Sequence, residues 1–161
     1  MKSREIRSKI TDQAKLELSV EEIIVNKPVG SEVLIKMQAS PINPSDIALL
    51  IASANPKTLK KIRGDYPKVS MDIDKSHLSF FAKRLNKSLT VGNEGAGKVI
   101  DAGKDSKHLI GKIVSVSGGS TFSQYKCTDS FNCIEMKKGI TSKKASSGFI
   151  NPLTALGMVE T

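Results

Sequence analysis

Val91-Gly92-Asn93-Glu94-Gly95-Ala96-Gly97-Lys98-Val99-Ile100-Asp101-Ala102-Gly103 is the stretch on which the reading of this chain turns. Its glycines bracket one acidic residue and one short apolar run. Glycine takes positive φ without a Cβ clash and lets a second backbone come close. The run 96–102 then reads as a strand, with Val99 and Ile100 as its β-branched centre, and Gly103 closes it as a turn residue. Asn93 and Glu94 are held at the tight turn that opens the strand.

Working outward, short strands recur at turn-punctuated spacing. Downstream, residues 109–116 read as a strand, Ser117-Gly118-Gly119-Ser120 as a turn, and residues 121–127 and 131–135 as two more strands. Upstream, residues 16–25 read as a first strand and Lys27-Pro28-Val29-Gly30-Ser31 as a turn cluster. Residues 32–40 form a strong strand with Val33, Ile35 and Met37 able to share one face. The spacing predicts a β-hairpin between 16–25 and 32–40, and the whole pattern predicts a barrel of short strands.

Helices are few and short. In Pro41-Ile42-Asn43-Pro44-Ser45-Asp46, Asn43 suits an N-cap, Pro44 the first helical position, and Asp46 the positive end of the helix. That helix runs through Ile51. Asn55-Pro56 breaks it, residues 57–64 suggest a short basic helix ended by Gly64, and Ser76 caps a helix over 77–85 with Leu78, Phe81, Ala82 and Leu85 on one face. Thr141 or Ser142 caps a helix through Phe149, and Asn151-Pro152 repeats the device before a last helix over 153–160.

Composition narrows the function classes. The 161 residues carry a net charge of +9, but the lysines are scattered, and aromatic residues for stacking bases are few. Nucleic-acid binding is therefore the lowest-ranked reading. No apolar run reaches the roughly 20 residues of a membrane span, and the charged opening lacks a secretory h-region. Cys127 and Cys133 do not form Cys-x-x-Cys and have no histidine nearby, while His77 and His108 stand alone. Zinc wants clustered N and S ligands, so no metal site is expected. Two cysteines without an evident pairing suit a reducing cytoplasm.

Gly-x-Glu-x-x-Gly followed by a strand and a glycine resembles the signature of the medium-chain dehydrogenase/reductase superfamily, in its N-terminal GroES-like catalytic domain. There the motif reads Gly-His-Glu, and the His binds catalytic zinc in zinc-containing members. Here Asn93 holds that place. Asn43-x-x-Asp46 is similar to the Asn-x-x-Asp of quinone-oxidoreductase-like and enoyl-reductase-like members, where zinc-dependent ones have Cys-x-x-Asp. The resemblance implies that Asn43 lies beside the nicotinamide end of NADPH. Gly64-Asp65-Tyr66-Pro67 matches a Gly-x-Tyr-Pro whose Tyr is a candidate proton donor, although Tyr66 sits further from Asn43 than in those enzymes and also reads as a surface turn residue. Thr154, in Pro152-Leu153-Thr154-Ala155, matches a threonine bordering the nicotinamide, and also reads as a helix threonine bonded to its own backbone.

The resemblance implies a mainly β fold with short helices: a GroES-like, partly open β-barrel over 1–140, with a helical insertion at about 55–90, and a helical connector over 141–161. The connector would lead to a Rossmann cofactor domain, whose Gly-x-Gly-x-x-Gly turn the chain does not contain. The implied function is the catalytic portion of a zinc-independent, NADPH-dependent oxidoreductase that reduces a quinone or an activated C=C bond in a small-molecule substrate. Asn43 and Tyr66 are the catalytic candidates, and Asn43, Asn93 and Thr154 the cofactor-binding ones. Such a chain would be inactive without its missing or separate cofactor domain, and homo-oligomerisation of a full enzyme stays open. The alternative is a stand-alone binding or assembly module that uses the last helix for docking.

Overall fold

The computed structural model describes residues 1–51 and 53–160. In chain order the elements are β1 (Lys2–Ile10), β2 (Lys15–Ile24), β3 (Glu32–Ala39), α1 (Pro44–Leu50), β4 (Ala54–Ile62) and β5 (Lys68–Ile73). A 3₁₀ helix over Lys75–Arg84 follows, then β6 (Ser88–Thr90), β7 (Glu94–Ala102), β8 (Ile113–Ser117), β9 (Tyr125–Asp129) and β10 (Cys133–Glu135). The chain closes with α2 (Ser142–Ala145) and α3 (Ile150–Glu160). The strands form two antiparallel five-stranded sheets, ordered β4-β5-β2-β1-β6 and β10-β8-β7-β3-β9. They meet where Ile6 N donates to Phe122 O at 2.9 Å and Gln124 N donates to Arg4 O at 2.9 Å. The result is the expected mainly β, partly open barrel: two sheets joined along one seam without closure.

Each sheet has its own core. Val33 and Ile35 of β3 pack with Val99 and Ala102 of β7, Leu109, and Val114 and Val116 of β8; Met37 packs against this cluster from the same face of β3. Ile10, Leu16, Ala54, Met71 and Ile73 form the second cluster, roofed by Leu78, Phe81 and Leu85. That roof is 3₁₀ rather than the α-helix that the periodicity predicts. Leu78 and Phe81 are three residues apart, the spacing that a three-residue turn stacks on one side. The cap is Asp74, whose Oδ1 accepts from Ser76 N at 2.9 Å and Ser76 Oγ at 2.7 Å.

Three further expectations are corrected. Residues 57–64 are not helical, because most of them lie on β4, the edge strand beside β5. Thr58 Oγ1 accepts from Asp72 N at 2.8 Å, and lysines and a proline suit an edge that must not pair with another chain. Strands 16–25 and 32–40 do not pair with each other. β2 pairs with β1 and β5, and β3 with β7 and β9. β1, which pairs with β2 along its length, has Ser3, Glu5 and Ser8 buried but polar, with only Ile10 apolar among its buried positions, so hydrophobic alternation does not reveal it. Finally, α3 starts at Ile150, which places Asn151 and Pro152 inside its first turn, where a proline costs no intrahelical bond. None of the described helices is long and apolar enough to cross a membrane.

Candidate functional site

Gly92 sets the site up. Its φ is +93°, and a Cβ there would meet Thr121 Oγ1 and come within 2.5 Å of Phe122 Cδ1, so only glycine makes this turn without strain. The turn delivers Asn93 N to Asp46 Oδ1 at 3.0 Å. The other oxygen, Asp46 Oδ2, accepts from Asn43 N at 2.9 Å. Asp46 is fully buried, so one carboxylate clamps the start of α1 and the turn before β7 together. Asn43 and Asn93, 50 positions apart in sequence, thereby become neighbours.

Glu94 is the second centre and is also fully buried. Its Oε1 accepts from Asn43 Nδ2 at 3.0 Å. Its Oε2 accepts from Phe149 N at 3.2 Å and Ile150 N at 2.8 Å. The carboxylate thus sits at the N-terminus of α3, where the unpaired amides and the helix dipole favour an anion. Asn151 Nδ2 donates to Asn43 Oδ1 at 3.3 Å, and Asn93 Nδ2 to Ser45 Oγ at 2.6 Å. Behind the network, Thr121 Oγ1 donates to the Glu94 carbonyl at 2.7 Å and Ser40 Oγ to the Thr121 carbonyl at 3.0 Å. These last two residues also line a cleft of about 340 Å³ between the sheets, with Met37, Phe122 and Gln124.

The structure brings Asn43 and Asn93 together and leaves the other two candidates elsewhere. Thr154 is exposed on α3, and its hydroxyl donates to the Ile150 carbonyl at 2.9 Å. Tyr66 is engaged on the other sheet: its hydroxyl donates to Glu22 Oε2 at 2.9 Å, and the Arg4 guanidinium lies 5.2 Å from its ring centre. The sequence did not reveal what Glu94 and Asn151 do. Glu94 read as a turn residue of the central motif and Asn151 as a cap, because the bonds that give them their parts, from Asn43 and α3 to Glu94 and from Asn151 to Asn43, span more than fifty residues. Chemically the site offers amides, hydroxyls and two fully engaged carboxylates. It is built to orient and to hydrogen-bond.

Comparison with known proteins gives this arrangement its context. Residues 30–160 match the alcohol dehydrogenase GroES-like domain. The chain belongs to that family. Among relatives of this GroES-like domain, the mitochondrial enoyl-[acyl-carrier-protein] reductase of Caenorhabditis elegans is 28% identical over 136 residues, covering 83% of this chain and 32% of the relative. A Bacillus thuringiensis structure assigned as an NADPH:quinone reductase superposes with a TM-score of 0.66 at 26% identity, over 97% of this chain and 40% of that one. The quinone oxidoreductase of Pseudomonas syringae pv. tomato shares the fold, with a TM-score of 0.62 at 15% identity, over 98% of this chain and 40% of the other. The GroES-like chain therefore spans roughly a third to two-fifths of the length of these relatives.

The two thiols lie apart from the network. Cys127 is on β9, and Cys133 starts β10; both are free. Burial pushes the Cys133 thiol up to about 11. Since the thiolate is the nucleophile, only a small fraction of the molecules is reactive there at pH 8. Alkylation of Cys133 by iodoacetamide should be far slower than that of free cysteine at pH 8 and should accelerate as pH rises towards 11. Peptide mass spectrometry after timed labelling reads this directly, and labelling at the free-cysteine rate would contradict it.

Proposed function

We propose that this chain is the catalytic-domain portion of a zinc-independent, NADPH-dependent oxidoreductase that reduces a quinone or an activated C=C bond. Residues 1–140 form its barrel, and residues 141–161 connect to a cofactor domain. The observation that carries this reading is that Asp46 binds the backbone N–H groups of Asn43 and Asn93 and so sets these two asparagines side by side, at the two places where zinc-dependent members of the superfamily resembled here have Cys and His. These side chains do not make a zinc donor set. Both polar atoms of the Asn43 amide are already bonded, to Glu94 and Asn151. Zinc prefers thiolate and imidazole, and among the described residues no group of three or more His, Cys, Asp or Glu is clustered as a metal site.

The same residues suit one end of a nicotinamide cofactor. Glu94 already occupies the helix N-terminus that would otherwise attract phosphate, so this chain would hold the neutral nicotinamide rather than the phosphates. Asn43, Asn93 and Thr154 are the residues proposed to border it, and the bound cofactor would supply the hydride. With no metal to polarise the substrate, amide and hydroxyl donors would stabilise the developing oxyanion or enolate. Tyr66 bonds to Glu22 on the other sheet, so its part as proton donor would require that loop to move. The exposed apolar side chains of α3, Leu153, Leu156, Met158 and Val159, are consistent with an interdomain element. They equally suit the alternative of a stand-alone docking module.

The test is a fusion of this chain to the cofactor domain of the quinone reductase relative, assayed for NADPH oxidation with 1,4-naphthoquinone and with crotonyl-CoA. The fusion should turn over at least one of them in the presence of EDTA, and the 161-residue chain by itself neither. Activity lost to EDTA and restored by zinc would overturn the metal-free reading. Turnover by the chain alone would overturn the need for a second domain.

A further inference from the structure

Glu94 gathers three donors on its two oxygens: Asn43 Nδ2 on one, and the Phe149 and Ile150 amides on the other. No Lys, Arg or His ion pair to it is found among the described residues. A carboxylate only accepts. The Asn43 atom that faces it must therefore be the NH₂ nitrogen, which turns Asn43 Oδ1 the other way. The Asn151 atom that meets Oδ1 must then be its own NH₂ nitrogen. The side chains form one directed chain of donors, Asn151 to Asn43 to Glu94, in which each bond polarises the next.

We propose that Glu94 is a positioning residue: it sets which end of the Asn43 amide faces the site and seats the first turn of α3 on the same carboxylate, so that Asn43 and α3 are fixed as one unit. The oxidoreductase reading enters only in naming Asn43 as a residue beside the cofactor. The direction of the chain and the seat of α3 stand without it, and both can be read with no ligand present.

Substitution separates this role from simple packing. Glu94→Gln keeps the shape but replaces one acceptor with an NH₂ group, so it keeps α3 only if the Asn43 amide turns end for end to accept from that NH₂, and keeps the Asn43 amide as it is only by releasing α3. Asn43→Asp sets a second carboxylate against the first. The double change Asn43→Asp with Glu94→Gln leaves one carboxylate at the other end of the same contact. The introduced carboxylate then accepts from the introduced amide and from Asn151, and the amide oxygen accepts from Phe149 and Ile150.

The experiment uses the ¹⁵N-labelled 161-residue chain, with the Asn43 side-chain NH₂ resonance assigned by its loss in the Asn43→Asp variants. Glu94→Gln should shift that resonance, either because the Asn43 amide turns end for end or, where it stays, together with hydrogen exchange about tenfold faster at the Phe149 and Ile150 amides, the factor for one lost hydrogen bond. Asn43→Asp should melt well below Glu94→Gln or fail to fold. The double variant should melt above Asn43→Asp and recover protection at Phe149 and Ile150 to within about threefold of the parent, since its bonds are again complete. The proposal is overturned if Glu94→Gln leaves the Asn43 resonance and the α3 amides unchanged. It is equally overturned if Asn43→Asp melts like the parent, or if the double variant is no more stable than Asn43→Asp while Glu94→Gln folds.

Discussion

Asp46→Asn should lower the melting temperature of this chain by about 6–12 °C, the shift that a loss of roughly 3 kcal/mol produces in a domain of this size. The substitution removes no volume, so the loss is one of hydrogen-bond direction. Asp46 accepts from Asn43 N at 2.9 Å through one oxygen and from Asn93 N at 3.0 Å through the other, at full burial. An asparagine has one acceptor oxygen, so its NH₂ must face one of these N–H groups. One charge-assisted bond is lost and one donor near the site is left without a partner, each worth about 1–3 kcal/mol. Thermal unfolding followed by circular dichroism reads the effect. The exposed Asp65→Asn is the control and should stay within about 0.5 kcal/mol of the parent. If Asp46→Asn melts within a degree of the parent, Asp46 is not the clamp between α1 and β7.

Gly97→Ala is the second large effect, with an expected cost of about 3 kcal/mol, the upper end of overpacking changes. Gly97 lies on β7 between two neighbours, opposite Met37 of β3 and Val114 of β8. An added Cβ would run into the Lys36 carbonyl oxygen and come within 2.7 Å of Ile35 Cγ2 and 2.9 Å of the Lys36 carbonyl carbon. Backbone cannot rotate away as a flexible side chain can, so β3 and β7 must move apart and loosen the Val33–Ile35–Val99 cluster between them. Gly157→Ala makes a sharp contrast. A Cβ there meets nothing within 4 Å, and in a helix the change should stabilise by about 0.5–1 kcal/mol. Urea unfolding of the two variants should therefore move the midpoint in opposite directions. A neutral Gly97→Ala would mean that β3 and β7 pack less closely than described.

The two effects show what the central stretch of sequence carries. The glycines around Asn93 and Glu94 announced a turn and a strand that something approaches closely, and β7 is that strand. Val33, Ile35 and Met37 were legible as one face because β3 alternates, and the core formed on that face. The partly open barrel of the GroES-like family followed from these local signals together with the family resemblance. β1 was not legible, because it turns Ser3, Glu5 and Ser8 inward and, of its buried positions, only Ile10 is apolar. β4 read as a helix, because its Lys-rich sequence suits either state until β5 lies beside it.

For the site, the sequence alone determined which residue types stand at two places: amides at Asn43 and Asn93, with Asp46 and Glu94 beside them. Only the tertiary structure decided that a single carboxylate clamps those two segments together, that Glu94 seats α3 rather than facing solvent, and that Tyr66 bonds to Glu22 on the other sheet. The reason is physical. Turn chemistry and strand alternation act over a few residues and are written locally. The bonds that assemble this network join residues some fifty to a hundred positions apart, and they exist only once the two sheets have packed.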